Sequence, residues 1–310
     1  MTIIIIIFCA ALFIDGATDC ANSVTGAVSS RALSLRHATV LSAALSFLGC
    51  TVFCLFSPAV AESFGAVSFS DDTRIIAVAV SLFCTALWSA FAWLLGLPTS
   101  EGHALISAMA GAALALGGKI HTPQLLFVLA AVLPSAALSA LLSVPFVRLF
   151  AKTPKRNRKP LIILSCALSS FFHGAQDGQK FLALALSARL ISNKAYAPTV
   201  LVFAAVMGIG TLFGRRIIKK MGLEMISADE SSALAADLSG ALSLAALTSL
   251  GVPASTTHVR ITALTAATRS AGKRCDGGIF ALLCSTWVAT FPVCFALSYF
   301  ASRLFLVVFL

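Results

Sequence analysis

Asp15–Ser23 reads DGATDCANS, and it is answered in the second half of the chain by HGAQDGQKF at His173–Phe181. A second pair keeps nearly the same spacing, GLPTSEGH at Gly96–His103 and GVPASTTH at Gly251–His258. The offsets are 158 and 155 residues, so whole halves read as duplicated, with Asp19 opposite Asp177 and His103 opposite His258. Ionisable residues and Pro/Gly breaks at matching positions of a duplicated apolar chain are the pattern of a secondary transporter whose site lies at the repeat interface.

The sequence around these motifs is suited to lipid. Of 310 residues 59% are hydrophobic and 11% charged, where a soluble globular chain carries roughly 25% charged residues. A hydrocarbon core about 30 Å thick needs roughly 20 apolar residues per helical span. The apolar runs give ten segments, at 2–30, 37–60, 74–95, 98–118 and 122–150, then 160–189, 196–214, 231–250, 254–270 and 278–305. The expected fold is all-α: a polytopic membrane protein in two inverted five-segment repeats, with broken or re-entrant helices. Residues 1–150 form the first repeat, 151–159 a basic linker and 160–310 the second repeat. The opening MTIIIIIFCAALFI lacks the basic n-region of a signal peptide and leads into Asp15, so it reads as half of a spanning helix. The nine cysteines contain no CxxC pair and read as small buried hydrophobes.

Net charge of +10 suits nucleic acid or a membrane surface, and its placement decides between them. Alternate connections hold Arg31, Arg36, Arg148, Lys152, Lys155, Arg156, Arg158, Lys159, Arg215, Arg216, Lys219, Lys220, Arg269, Lys273 and Arg274. The others hold only Arg74, Lys119, Arg189, Lys194 and Arg303. This asymmetry is a positive-inside signal that puts both termini outside, the central basic loop in the cytoplasm, and the second half inverted relative to the first. It leaves no role for nucleic acid.

A charge at the bilayer centre costs at least about 2.5–3.5 kcal/mol and needs a cavity or a partner. Asp15 and Asp19 are four apart on one helix face, with Asn22 near one turn beyond. This first motif interrupts an otherwise apolar helix and supplies hard oxygen ligands for a small cation or a proton. Lys180 takes the slot of Asn22 in the second half, where it either neutralises Asp177 or sets the charge of the site. The second motif stops one helix at Pro and starts another with hydroxyl residues: Thr99 and Ser100, then Ser255, Thr256 and Thr257. Such residues are ordinary N-caps, but helix N-termini also favour anions, and two meeting from opposite sides would hold a small tetrahedral oxyanion. His103 and His258 are either histidines satisfied by backbone or members of the site. Glu101, opposite Thr256, is either a proton carrier or one half of an ion pair with Lys180 or Arg260.

Taken together, these four ordered motifs resemble the inorganic phosphate transporter (PiT) family, and the resemblance covers nearly the whole chain. DGATDCANS followed by SSRALSLRHA, HGAQDGQK, GTLFGRRIIKKMG and GVPASTTHV are similar to that family, HGAQDGQK most to its bacterial branch of low-affinity permeases. The resemblance implies import of inorganic phosphate coupled to a proton or sodium gradient by alternating access, with no cofactor beyond the coupling cation. It implies that Asp19, Asn22 and Asp177 hold the coupling ion with Gln179 or Lys180 nearby. Thr99, Ser100, Ser255, Thr256 and Thr257 are then the phosphate ligands. Thr18 and Gln176 stand where the family has Asn, and Glu101-Gly102 replaces a small pair; Glu101 leans the reading toward protons. Sulfate and metal-phosphate remain alternative substrates of the same fold. The partners expected are phosphate, the bilayer and a second copy in a homodimer. An intramembrane hydrolase using Ser255, His258 and Asp237 or Asp177 is the competing class, and the duplication argues against it because one catalytic set would suffice.

Overall fold

The structure is a computed structural model and describes residues 2–95, 97–215, 218, 229–275 and 277–309. Gly96, Arg216, Lys219 and Lys220 of the sequence reading lie outside the described residues. The first half contains α1 (Thr2–Ser29), α2 (Leu35–Phe56), α3 (Ala59–Phe64), α4 (Arg74–Leu95), α5 (Glu101–Ala115), α6 (Thr122–Ala130) and α7 (Val132–Ala151). The second contains α8 (Lys155–Ser187), α9 (Tyr196–Thr211), α10 (Glu230–Ser249), α11 (Thr256–Ser270) and α12 (Gly277–Phe309). Among the described residues the only strands are β1 (Val67–Ser68) and β2 (Lys119–Ile120), which pair antiparallel. Helix α8 begins at Lys155, inside the stretch read as a linker, so the connection after α7 is residues 152–154.

Among the described residues seven helical stretches are long and apolar enough to cross a membrane: 3–29, 35–56, 74–95, 122–151, 193–211, 230–249 and 280–308. Outside that set stand α5, α8 and α11, three of the four helices that carry the motifs. Helix α8 has 33 residues, and its apolar character is diluted by KRNRK at its start and the polar motif at its middle. Helices α5 and α11 have 15 residues each, about 22 Å at 1.5 Å per residue, short of the roughly 30 Å core. Both begin beside the middle of α1, as Thr18 contacts Glu101 and Asp19 contacts Thr256. They are the broken segments that the Pro motifs foretold.

The first motif leaves its helices whole, as the unbroken segments read at 2–30 and 160–189 anticipated. Both α1 and α8 run through it without interruption. Some of these polar side chains bond back to their own helix and others reach across to another, as Asp19 does to Thr256. Thr18, for example, donates to the Ile14 carbonyl at 2.8 Å.

The halves interlock. Helix α1 packs on α9 of the other half, and α8 packs on α2; likewise α5 packs on α12 and α11 on α7. Lipid offers no hydrophobic drive between helices, so close approach through small residues takes its place. Gly16 lies against the Met207 carbonyl and Gly210 against that of Phe13, while Gly49 lies against the Phe171 carbonyl and Gly174 against that of Ser46. A Cβ at any of the four would run into backbone.

Two apolar clusters define the ends. Val24, Ala38, Val147, Phe150, Ile162, Leu234 and Ala267 pack together at the end that carries Arg31, Arg36, Arg148, Lys155 and Arg269. There Arg158 approaches Glu230 at 3.9 Å and Lys273 approaches Asp229 at 3.4 Å. Phe8, Cys54, Phe64, Leu82, Leu105 and Leu184 pack at the opposite end, beside β1, β2 and the Arg189–Asp71 pair at 3.0 Å. The basic residues named here therefore share one end of the molecule.

Candidate functional site

Position along the helices brings the four motifs together. Asp19 and Asn22 lie past the midpoint of α1, Asp177 lies in the second half of α8, and α5 and α11 point their N-termini at both. Thr256 Oγ1 donates to Asp19 Oδ2 at 2.8 Å. Asn22 Nδ2 donates to Thr257 Oγ1 at 3.0 Å, and that hydroxyl donates onward to the Thr99 carbonyl at 2.8 Å. One chain of bonds thus joins the Asp/Asn motif of the first half to the hydroxyl loops of both halves.

Charges of the second half lie beside this network. Lys180 Nζ sits 2.5 Å from Asp177 Oδ1, and His173 Nδ1 sits 2.8 Å from Asp177 Oδ2. Each of the three side chains is at least 95% buried. The neutralising pair anticipated for Asp177 and Lys180 is therefore formed, with His173 as a third member. Ligand atoms of Asp19, His173 and Asp177 all lie within 4.8 Å of one another, close enough to share a cation. His173 was not singled out in the sequence, although its i, i+4 spacing to Asp177 was the signal that could have found it. The Lys180 stem runs along Gly102 in the first turn of α5, where an added Cβ would lie 3.2 Å from Lys180 Cδ, Cε and Nζ. Glycine at 102 leaves room for that ammonium.

Glu101 has partners the sequence did not suggest. Ser89 Oγ donates to Glu101 Oε2 at 2.5 Å and Thr18 Oγ1 to Oε1 at 3.3 Å. Lys180 pairs with Asp177 instead, and Arg260 pairs with Asp237, so neither anticipated ion pair forms. No local pattern marks Ser89; it is brought in by the packing of α4 on α5.

The two glutamines position backbone. Gln176 donates to the Val252 carbonyl at 3.1 Å and accepts from Ala254 N at 3.2 Å, holding the loop before α11. Gln179 accepts from Val60 N at 2.9 Å at the start of α3 and donates to the Ala175 carbonyl at 2.9 Å. Both ends of the Gln179 amide are thus taken by backbone, which sets it apart from the ion ligands with which the family resemblance grouped it.

His103 and His258 meet edge to face, ring centres 5.4 Å apart, and Trp287 lies 3.8 Å from His258. Ser255 Oγ caps α11 and lies 2.6 Å from His258 Nδ1. This dyad has the spacing of a nucleophile and base, but Asp237 is paired with Arg260 and Asp177 with Lys180 and His173. Among the described residues no carboxylate is bonded to His258. Several buried polar atoms lack hydrogen-bond partners: both oxygens of Asp15, Asn22 Oδ1, Ser23 Oγ and Ser100 Oγ. Buried polar groups are ordinarily paired, and these five atoms lie on α1 and beside the α5 N-terminus.

Comparison with known proteins identifies a family and a fold. A family model described as the phosphate transporter family matches residues 15–161 and again residues 151–298. A protein of Bacillus subtilis named a probable low-affinity inorganic phosphate transporter is 30% identical, with 94% of this chain and 93% of the relative covered. One of the same name from Rhizobium meliloti is 31% identical over 94% and 93%. A solved structure titled the sodium-dependent phosphate transporter superposes with a TM-score of 0.87 at 20% identity, covering all of both chains.

Proposed function

The chain belongs to the phosphate transporter family, and on that premise we propose that it imports inorganic phosphate by alternating access, coupled to a proton or sodium gradient. The observation that carries the reading is the bonded path Asp19–Thr256 and Asn22–Thr257–Thr99, which makes one site from both halves. Phosphate sits between the N-termini of α5 and α11, held by the hydroxyls of Thr99, Ser100, Ser255, Thr256 and Thr257. Free backbone N–H groups and the positive dipole ends add to those donors. Asp19, Asn22 and Asp177, joined by His173, hold the coupling cation. That cation and the fixed Lys180 ammonium offset repulsion between phosphate and the carboxylates. Alternating access follows from the interlocked inverted halves, one rocking against the other around the fixed site. In this reading the basic end faces the cytoplasm and both termini face outward.

Purified protein in liposomes is expected to accumulate labelled phosphate under an inward cation gradient. Accumulation that persists after both the proton and the sodium gradients are dissipated overturns the coupling. Competition by sulfate or a requirement for a divalent metal in the same assay would redirect the substrate within this fold.

A further inference from the structure

Arg260 and Asp237 form an ion pair that neither the motifs nor the site uses. Both are buried, at 4% and 1% exposure. Arg260 is four residues past Thr256 on α11, one turn further from the site, a step of about 5–6 Å. Asp237 lies on α10 and backs against Gly26 of α1, where any Cβ would collide with its carboxylate. Gly26 is itself four residues past Asn22. Three helices therefore carry the structure one turn from the site toward the basic end, and the ion pair lies at that level.

A cavity of about 10 Å³, space for one water, joins the two levels. Asn22, Ser23, His173, Thr256 and Arg260 are among the residues that line it. Asn22 Oδ1 and Ser23 Oγ in its wall are buried without partners. The repeat supplies a control. At the 155-residue offset of the Pro motif, Arg260 corresponds to Leu105 and Asp237 to Leu82. Both leucines are buried in the apolar cluster toward the opposite end. Leucines thus close the equivalent route out of the site on that side, and a guanidinium–carboxylate pair closes the route toward the basic end. Burying an ion pair in place of well-packed leucines is often neutral or destabilising, so its presence on one side only calls for a use.

We propose that Arg260 is a transit site for the phosphate oxyanion on its way to the basic end, held closed by Asp237 until the anion takes that carboxylate's place. The proposal rests on the transport reading above. A guanidinium fork matches phosphate as well as carboxylate, with two parallel charge-assisted bonds. Phosphate leaving the Thr256 level meets Arg260 one turn on, displaces the Asp237 carboxylate from the guanidinium, and is drawn outward by the basic connections beyond.

The test uses the full chain as wild type, Asp237→Asn, and the neutral double variant Arg260→Gln with Asp237→Asn, which leaves no unpaired buried charge. Inorganic phosphate binding is measured in detergent, thermal unfolding alongside it, and phosphate–phosphate exchange in liposomes. Asp237→Asn is expected to bind phosphate about tenfold more tightly, the scale of one charge-assisted bond. The double variant is expected to fold, to bind within about threefold of wild type at the central site, and to exchange at least about tenfold more slowly. Should it fail to fold, Arg260→Lys keeps the charge, loses the fork, and is expected to exchange more slowly with its unfolding temperature unchanged. Exchange at the wild-type rate in the double variant, or in Arg260→Lys where that variant stands in, overturns the proposal, as does unchanged phosphate affinity in Asp237→Asn. A wild-type protein that neither binds nor exchanges phosphate sinks the transport reading and this site with it. Normal wild-type transport with an unaffected double variant removes this site alone.

Discussion

Replacing Thr256 by valine removes one hydroxyl and keeps the β-branched shape, so the backbone at the start of α11 has no cause to move. What is lost is the donor to Asp19 Oδ2, a 2.8 Å bond across 237 residues of sequence. Hydrogen bonds to charged groups contribute about 1.5–3 kcal/mol, and the carboxylate, 3% exposed, has no water to turn to. At 1.4 kcal/mol per factor of ten, that range corresponds to roughly 10- to 100-fold in any equilibrium that requires Asp19 to be held in place. Initial rates of phosphate uptake into liposomes at several phosphate concentrations, with thermal unfolding in detergent, measure both consequences. Thr256→Ser restores the donor and is expected to recover most of the loss. If Thr256→Val stays within about twofold of wild type in uptake and unfolds at the same temperature, the bond does not join the halves into one site. If valine and serine variants lose equally, the methyl packing carried the effect and the hydroxyl did not.

Asp19→Asn and Asp177→Asn are each expected to abolish cation-driven uptake while the protein remains folded, measured by uptake and by size-exclusion profile; near-normal uptake in both removes them from the site. Asp177→Asn also leaves the buried Lys180 ammonium without its carboxylate, and loss of one partner of a buried pair costs about 3–5 kcal/mol, so its unfolding temperature should fall more than that of Lys180→Met with Asp177→Asn combined. Both oxygens of Glu101 accept hydroxyl donors; Glu101→Gln cannot release a proton, so the pH profile of uptake should flatten if this carboxylate cycles one, and an unaltered profile assigns it to holding Ser89 and Thr18. Gly174→Ala places a methyl against the Ser46 backbone, and overpacking of this kind costs about 1–3 kcal/mol; a variant as heat-stable as wild type would show that α2 and α8 can separate freely.

Hydropathy alone placed the helix boundaries within a few residues, because lipid imposes one length and one composition on each span. The Pro motifs were equally legible, because Gly and Pro are followed there by hydroxyl residues that start a new helix, whereas Pro145, Pro160 and Pro292 sit inside helices that continue past them. The first motif was legible as one helix but not in its partners: α1 runs unbroken through Asp15, Gly16 and Asp19, and Thr256, which meets Asp19, comes from the other half. Partners across the fold had no sequence signal. Ser89 reaches Glu101 only through the packing of α4 on α5, and Gln179 is drawn off to Val60 by a short helix, α3, that hydropathy did not mark. The Asp237–Arg260 pair went unread for a related reason, as neither residue belongs to a duplicated motif.

The bond between Asp19 and Thr256 also constrains the order in which the molecule can be built. A chain emerging from its amino end presents the Asp19 carboxylate to lipid long before Thr256 exists, 237 residues later. Until α11 arrives, α1 carries an acid whose partner has not been synthesised, and α8 must enter beside it bearing Asp177 and Lys180, which compensate each other. A truncated first half would therefore be a poor membrane resident, more exposed to quality-control proteolysis than its apolar composition suggests. The two halves are duplicated in sequence, but neither alone can form the bond between Asp19 and Thr256.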